Sequence, residues 1–190
     1  MNQTLRLLIL ATATAVSVLA ALPAWAQKVR LSTSLGDIVV ELDAEKAPKT
    51  VDNFLKYVGA KHYDGLIFHR VISSFMIQGG GYTPELGERP TRAPIALESR
   101  SGLSNARGSI SMARTQVPNS ATSQFFINVG DNLRLDQPNA ADGEGYAVFG
   151  KVVEGMNVVD KIREVPTTPK GMHQNLPATP VVIKKASLEK

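Results

Sequence analysis

Residues 68–81 read Phe68-His69-Arg70-Val71-Ile72-Ser73-Ser74-Phe75-Met76-Ile77-Gln78-Gly79-Gly80-Gly81. Apolar residues surround one strong cation and one amide, and three glycines close the run. Strand side chains alternate with period two, so Phe68, Arg70 and Ile72 are expected on one face. Phe75 and Ile77 resume that alternation after Ser73-Ser74, which predicts two short strands joined by a tight turn. Arginine is rarely buried without a partner. One reading of Arg70 is therefore a structural ion pair. The other is a ligand site, because a donor fork and an amide set among Phe75, Met76 and Gln78 join an apolar surface to a few positioned polar groups.

On either side of this run the chain reads as more short strands. Val29 to Ser32 and Asp37 to Leu42 predict a hairpin turning at Ser34-Leu35-Gly36. Thr50 is a candidate N-cap for a helix from Val51 to about Gly59, with Val51, Phe54, Leu55 and Val58 on one face. Between Gly81 and Arg107 the periodicity is weak, and Pro84, Gly87, Pro90, Pro94 and Gly102 break it. A loop that long inside a compact domain is uncommon unless it has a function. Strands are expected at Gly108–Met112 and Ser123–Asn128, and a second helix from Met156 to about Arg163. A closing strand begins at Val181.

Composition narrows the function classes. Met1 to Ala26 has a basic residue at Arg6, a diluted apolar run from Leu7 to Leu22 and the small-x-small site Ala24-Trp25-Ala26. That is the pattern of a cleaved signal peptide. The run falls short of the roughly 20 strongly apolar residues a membrane span needs. Residues 27–190 are then expected as one exported domain, with no stable membrane insertion after cleavage. This part holds 20 basic and 17 acidic residues, scattered without a basic run, so a nucleic-acid surface is not supported. There is no cysteine, and His62, His69 and His173 show no metal-ligand spacing. His69 reads as a core histidine with its hydrogen bonds satisfied. A Ser-His-Asp hydrolase is disfavoured because no G-x-S-x-G elbow is present.

Three stretches together carry a resemblance. F-H-R-V-I-x-x-F-M-I-Q-G-G, then S-M-A-R-T with S-A-T-S-Q-F-F-I-N, then L-R-L-D with G-Y-A-V-F-G-K-V resemble the cyclophilin family of peptidyl-prolyl cis-trans isomerases. The match spans essentially all of residues 27–190 and looks like the bacterial secreted branch. It implies a mainly β fold, a closed eight-stranded antiparallel β-barrel capped by two α-helices. It implies isomerisation of X-Pro bonds with no cofactor and no metal, on proline-containing polypeptides that are unfolded or flexible. By the same resemblance Arg70 is the catalytic arginine and Gln78 orients it. Phe75, Met76, Phe126 and Leu135 wall a proline pocket. Ala113 and Arg114 supply backbone that binds the peptide, with Gln124 beside them. Tyr146 stands where many members have histidine, and Arg134 where many have tryptophan, so the rim departs from the family pattern. Weak binding of cyclosporin is expected from Arg134. A monomer in the periplasm, acting on the folding of exported proteins, is the expected setting. The alternative is a non-catalytic, chaperone-like module that holds proline peptides or unfolded chains in the same pocket.

Cleavage after Ala26 has a direct check. Mass spectrometry of protein recovered from its native compartment is expected to show Gln27 as the first residue. Trp25 is the only tryptophan, so a tryptophan emission band from that protein overturns the expectation.

Overall fold

Lys28–Thr33 (β1) and Gly36–Leu42 (β2) pair antiparallel around a two-residue turn. Their alternation places Val29, Leu31, Ile38 and Val40 in the core. The computed structural model describes residues 27–189; the expected signal segment, 1–26, lies outside the described residues. After β2 come the helix Pro48–Gly59 (α1) and the strands Phe68–Ile72 (β3), Met76–Gly79 (β4), Ser109–Met112 (β5), Phe125–Asn128 (β6) and Val148–Glu154 (β7). The helix Met156–Arg163 (α2) and the strands Thr167–Lys170 (β8), His173–Pro177 (β9) and Ile183–Leu188 (β10) complete the chain. Eight strands form one antiparallel sheet in the order β10-β1-β2-β7-β5-β6-β4-β3, and β8 pairs only with β9.

The sheet is a half-barrel and not the closed barrel expected from the sequence. Its end strands, β3 and β10, share no ladder. They meet through the isolated bridge Ile67↔Val182, just before each strand begins. Phe68 N–H donates to Val181 O at 3.0 Å and Ile183 N–H to Leu66 O at 2.8 Å. Beyond that junction β9 packs alongside β3 without joining its ladder. The β8–β9 hairpin was missed in the sequence because Thr167–Lys170 is exposed at every position and shows no alternation.

α1 covers one end of the half-barrel. Phe54 packs at ring-centroid distances of 5.2 Å from Tyr63, 5.7 Å from Phe125 and 5.1 Å from Phe149. A phenylalanine this deep costs about 3–5 kcal/mol when cut to alanine. The helix starts at Pro48, earlier than expected, and Thr50 is not its cap. Proline suits a first helical position because that turn leaves its N–H unpaired in any case. The free N–H groups of Lys49 and Thr50 instead donate to the Glu98 carboxylate at 3.1 and 2.8 Å, and the Thr50 hydroxyl donates to it at 2.7 Å. The negative carboxylate also suits the positive end of the helix dipole. This contact ties the long segment after Gly81 to the helix end. Arg89 adds a second tie, donating to the carbonyls of His62 and Asp64 at 2.6 and 2.9 Å. α2 matches its expected span, with Val158, Val159 and Ile162 buried and Met156 packed at the core's edge.

The ladder slips by one residue between Phe68 and Arg70. The expected shared face of Phe68 and Arg70 is therefore broken. Phe68 and His69 are both buried, at 0% and 4% exposure, while Arg70 is exposed. His69 is buried as expected but not satisfied, since its Nδ1 has no hydrogen-bond partner among the described residues. Burial, followed by the charges of His173 and Arg70, lowers its pKa to about 4. Burial also pushes His62 down. A histidine whose folded pKa is depressed binds fewer protons folded than unfolded, so its contribution to stability is lost as pH falls. For His69 the window runs from pH 6.5 down to about 4. Stability is expected to fall through that window with a slope of up to about 1.4 kcal/mol per pH unit per histidine. Thermal midpoints across the range check this, and His69→Phe should make the fall shallower. An identical profile for the variant overturns the assignment.

Candidate functional site

The β3–β4 hairpin pairs Ile72 with Met76, Val71 with Ile77 and Arg70 with Gln78. Phe75 lies in its turn, not in the strand as expected, and its N–H donates to Ile72 O at 2.9 Å. Val71 and Ile77 point into the core. Arg70, Met76 and Gln78 face the other way, together with Phe126, which pairs with Gln78 across β4 and β6. The site therefore sits on the outer face of the sheet.

Arg70 Nη1 donates to Gln78 Oε1 at 3.3 Å, and Gln78 Nε2 donates to Gln124 Oε1 at 2.9 Å. This chain fixes the Gln78 amide with its oxygen toward the guanidinium. Gln124 lies directly over Gly81, where a Cβ would stand 2.7 Å from Gln124 Nε2. Gly80 has φ +88, and a Cβ there would meet the Tyr63 ring at 2.9 Å. The glycines after Gln78 thus let the backbone turn and leave room for Gln124. No carboxylate pairs with Arg70 among the described residues. The structural ion pair considered for it is absent there.

Apolar walls flank the polar chain. Met76 and Phe126 are nearly fully buried, at 1% and 4% exposure. Tyr146 meets Phe126 edge-on at 5.7 Å. Arg134 lays its guanidinium 4.8 Å from the Phe75 ring centre, which places it at the rim. Leu135 lies in the 3-10 turn Leu133–Leu135, and its carbonyl accepts from Tyr146 N–H at 3.0 Å.

Ala113 N–H donates to Gln124 O at 2.9 Å, which ties the peptide-binding backbone expected at 113–114 to the same glutamine. The Arg114 side chain is 1% exposed and faces the protein. It donates to Gly145 O at 2.8 Å, forms an ion pair with Asp142 and stacks on Tyr146 at 4.5 Å. Arg114 thus supports Tyr146, leaving only its backbone to meet a peptide. Its guanidinium, helped by the N–H groups of Glu144 and Gly145, holds the Asp142 carboxyl well below the usual carboxylate range.

A buried amide network behind the walls was not foreseen. Asn132 Nδ2 donates to Phe75 O and to Asn128 Oδ1, both at 2.7 Å. Asn128 donates to Ser109 Oγ at 2.8 Å. The Asp136 carboxylate accepts from Asn105 N and Nδ2 at 2.6 and 2.8 Å and from the Ser104 hydroxyl at 2.5 Å. Phe75 and Leu135 are therefore held through polar partners from distant parts of the chain. The one available signal was asparagine on an otherwise apolar strand, since buried polar groups are nearly always paired.

A roomier cleft of about 760 Å³ lies between Leu42–Glu45 and Leu103–Arg107; Ser104 and Ser109 of the amide network line it, but neither Arg70, Gln78 nor any wall residue of the pocket does. Volume alone does not pick out the chemistry. Among the described residues no group of three His, Cys, Asp or Glu side chains is placed to hold a metal ion.

Among the described residues, Arg70 thus has an amide and no carboxylate as its side-chain partner, beside an aromatic and thioether pocket on the antiparallel half-barrel. The family model for cyclophilin type peptidyl-prolyl cis-trans isomerase/CLD matches residues 28–188, and the chain belongs to that family. The chain is 55% identical over 161 residues to peptidyl-prolyl cis-trans isomerase cyp18 of Streptomyces antibioticus, covering 84% of this chain and 97% of that protein. It is 50% identical over 184 residues to peptidyl-prolyl cis-trans isomerase A of Dickeya dadantii, covering 95% and 96%. Among solved structures it is similar to a cyclophilin type peptidyl-prolyl cis-trans isomerase of Cryptosporidium parvum, crystallised in the presence of the dipeptide Ala-Pro. That likeness has a TM-score of 0.71 at 28% identity, covering 86% of this chain and 99% of the other.

Proposed function

We propose that this chain accelerates rotation about X-Pro bonds in exported polypeptides, with Arg70 as its catalytic donor. The isomerase activity follows from the family and from relatives at 50–55% identity that carry that name. The observation that carries the residue assignment is the exposed guanidinium of Arg70, held by Gln78 and without a carboxylate partner among the described residues.

Peptide rotation faces a barrier of about 18–20 kcal/mol because the C–N bond is partly double. The two X-Pro isomers differ by only about 0.5–1 kcal/mol, so the task is kinetic. No bond to the substrate need form or break. As the amide twists, its nitrogen loses conjugation and gains a lone pair. Arg70 can donate an N–H to that lone pair, and it stays protonated throughout. Gln78 keeps the guanidinium in place, while Phe75, Met76, Phe126 and Leu135 hold the proline ring. A hydrogen bond to a charged group contributes about 1.5–3 kcal/mol. At about 1.4 kcal/mol per decade this is roughly 10- to 150-fold in rate. The apolar pocket adds to it by disfavouring the charge-separated planar amide.

Export is supported by the Ala24-Trp25-Ala26 site and by a family match that begins at Lys28, just past it. No helix among the described residues is long and apolar enough to cross a membrane. The reading is of a periplasmic monomer acting on flexible, proline-containing segments.

Arg70→Ala is expected to lower kcat/KM by about tenfold or more, the loss of one charged hydrogen bond, with Tm near wild type. Arg70→Lys should recover little, because an ammonium lacks the planar fork. Undiminished activity in Arg70→Ala overturns the catalytic role, and unfolding would restore a structural one. A wild type that binds proline peptides but does not accelerate their exchange would establish the holding module instead.

Arg134 has a separate test. A large apolar cyclic peptide such as cyclosporin must desolvate this charge to cover the rim, which costs unless the charge is paired. Arg134→Trp offers an apolar face and one donor instead. It should tighten cyclosporin inhibition by about tenfold, roughly 1.4 kcal/mol, with turnover little changed. Potent inhibition of the wild type, or no gain from tryptophan, overturns the role of Arg134 at the rim.

A further inference from the structure

Arg70, Gln78 and Gln124 have neighbours that the prolyl pocket does not use. With His69, Tyr82 and the hairpin residues Met172, His173, Gln174 and Asn175 they line a cleft of about 370 Å³. Gln78 borders both spaces, since it lines this cleft and pairs with Phe126 of the prolyl pocket. The hairpin is anchored by Leu176 and Pro177, both buried, and turns at Gly171. Its tip carries Met172 at 83% exposure. Below lies a rigid base of three rings. Tyr82 stands 4.8 Å from both His69 and His173, and the two histidines are 5.8 Å apart.

We propose that this cleft is a second subsite of the isomerase site, which receives the apolar side chain of a residue next to proline, with Met172 as its adaptable wall. The proposal rests on the isomerase reading above. A polypeptide whose proline lies in the Phe126 pocket and reaches Arg70 must run on across the adjoining surface. Successive residues of an extended chain are about 3.3 Å apart along its axis, so a flanking residue lies close to the shared polar rim. A cleft of this size falls within the span of about 300–1,000 Å³ typical of ligand pockets. Its lining also selects by charge. Arg70 is the one side chain there that always carries charge, and no carboxylate is present. A basic flanking residue would face Arg70 without a counter-ion. An acidic one would pair with Arg70 and draw it from the prolyl nitrogen. An apolar one meets the three rings and a thioether, which is flexible and polarizable enough to fit varied shapes. The Gln174 and Asn175 amides can bond to the peptide's backbone.

The test compares Gly-Pro-Gly, Leu-Pro-Gly and Gly-Pro-Leu peptides in an exchange-NMR isomerisation assay. The wild type should favour one leucine peptide over Gly-Pro-Gly by about fivefold or more in kcat/KM, within the range one apolar group supplies in a pocket. The two leucine positions identify which neighbour reaches the cleft. Met172→Ser should narrow that ratio to about twofold or less, the remainder resting on the rings beneath. Taking the ratio within each enzyme removes any general change in activity, and the exposure of Met172 makes misfolding easy to check by Tm. In protein labelled at the methionine methyls, the Met172 signal should shift with the favoured peptide and not with Gly-Pro-Gly. A wild type without leucine preference, a preference that survives Met172→Ser, or an unmoved Met172 methyl overturns the proposal. A wild type that accelerates none of the peptides overturns the isomerase reading first, and this subsite with it.

Discussion

One extra residue in β3 decides which side of the sheet carries the chemistry. The slip between Phe68 and Arg70 sends two consecutive side chains inward and turns the next one outward. Such bulges re-aim side chains near sites at the expense of local pairing. Here the outcome is a guanidinium exposed on the outer face and steered, among the described residues, by an amide alone. The same slip buries a histidine whose Nδ1 finds no partner among the described residues. Leaving a buried polar atom unpaired costs about 1–3 kcal/mol. The ring remains there because Tyr82 and His173 close over it. Local stability is thus given up at the position next to Arg70, the proposed donor, a common balance at working sites.

The apolar walls need precision that apolar contact alone does not supply. Phe75 sits in a turn and Leu135 in a short 3-10 segment, neither held by a strand ladder. Both are fixed from behind by hydrogen bonds. Asn132 binds the carbonyl of Phe75, and Asp136 anchors its turn to Asn105. Arg114 and Asp142 brace the loop that brings Tyr146 against Phe126. Loops hold side chains less precisely than strands do, so hydrogen bonds from the frame are what fix these walls.

Much of this was legible in the chain, and the failures share a cause. The β3–β4 hairpin, α2 and the opening hairpin follow from short-range periodicity, and all three stand where expected. The pocket residues were named because a long motif carried them. What periodicity could not reveal was long-range partnership. α1 begins early because its cap comes from Glu98, 48 residues beyond Thr50. Arg114 points inward because Asp142 lies 28 residues away. The β8–β9 hairpin was invisible because neither of its strands carries a clean apolar alternation.

The open side of the half-barrel bears on how the molecule meets an extended peptide. An unfinished sheet normally shows two bare strand edges, and a bare edge recruits any extended chain nearby. A protein of a family that binds proline-containing peptides is especially exposed to that hazard. The segment before β3 removes it for β10. Ile183 donates to Leu66 O and accepts from Gly65 N–H, and Asp64 accepts the N–H of Ala186. Lys184 and Lys185, both exposed, further discourage stacking by charge. The hairpin shields part of β3 in turn. A visiting chain therefore finds few unpaired backbone groups along the seam, and the surface open to it is the one that carries Arg70.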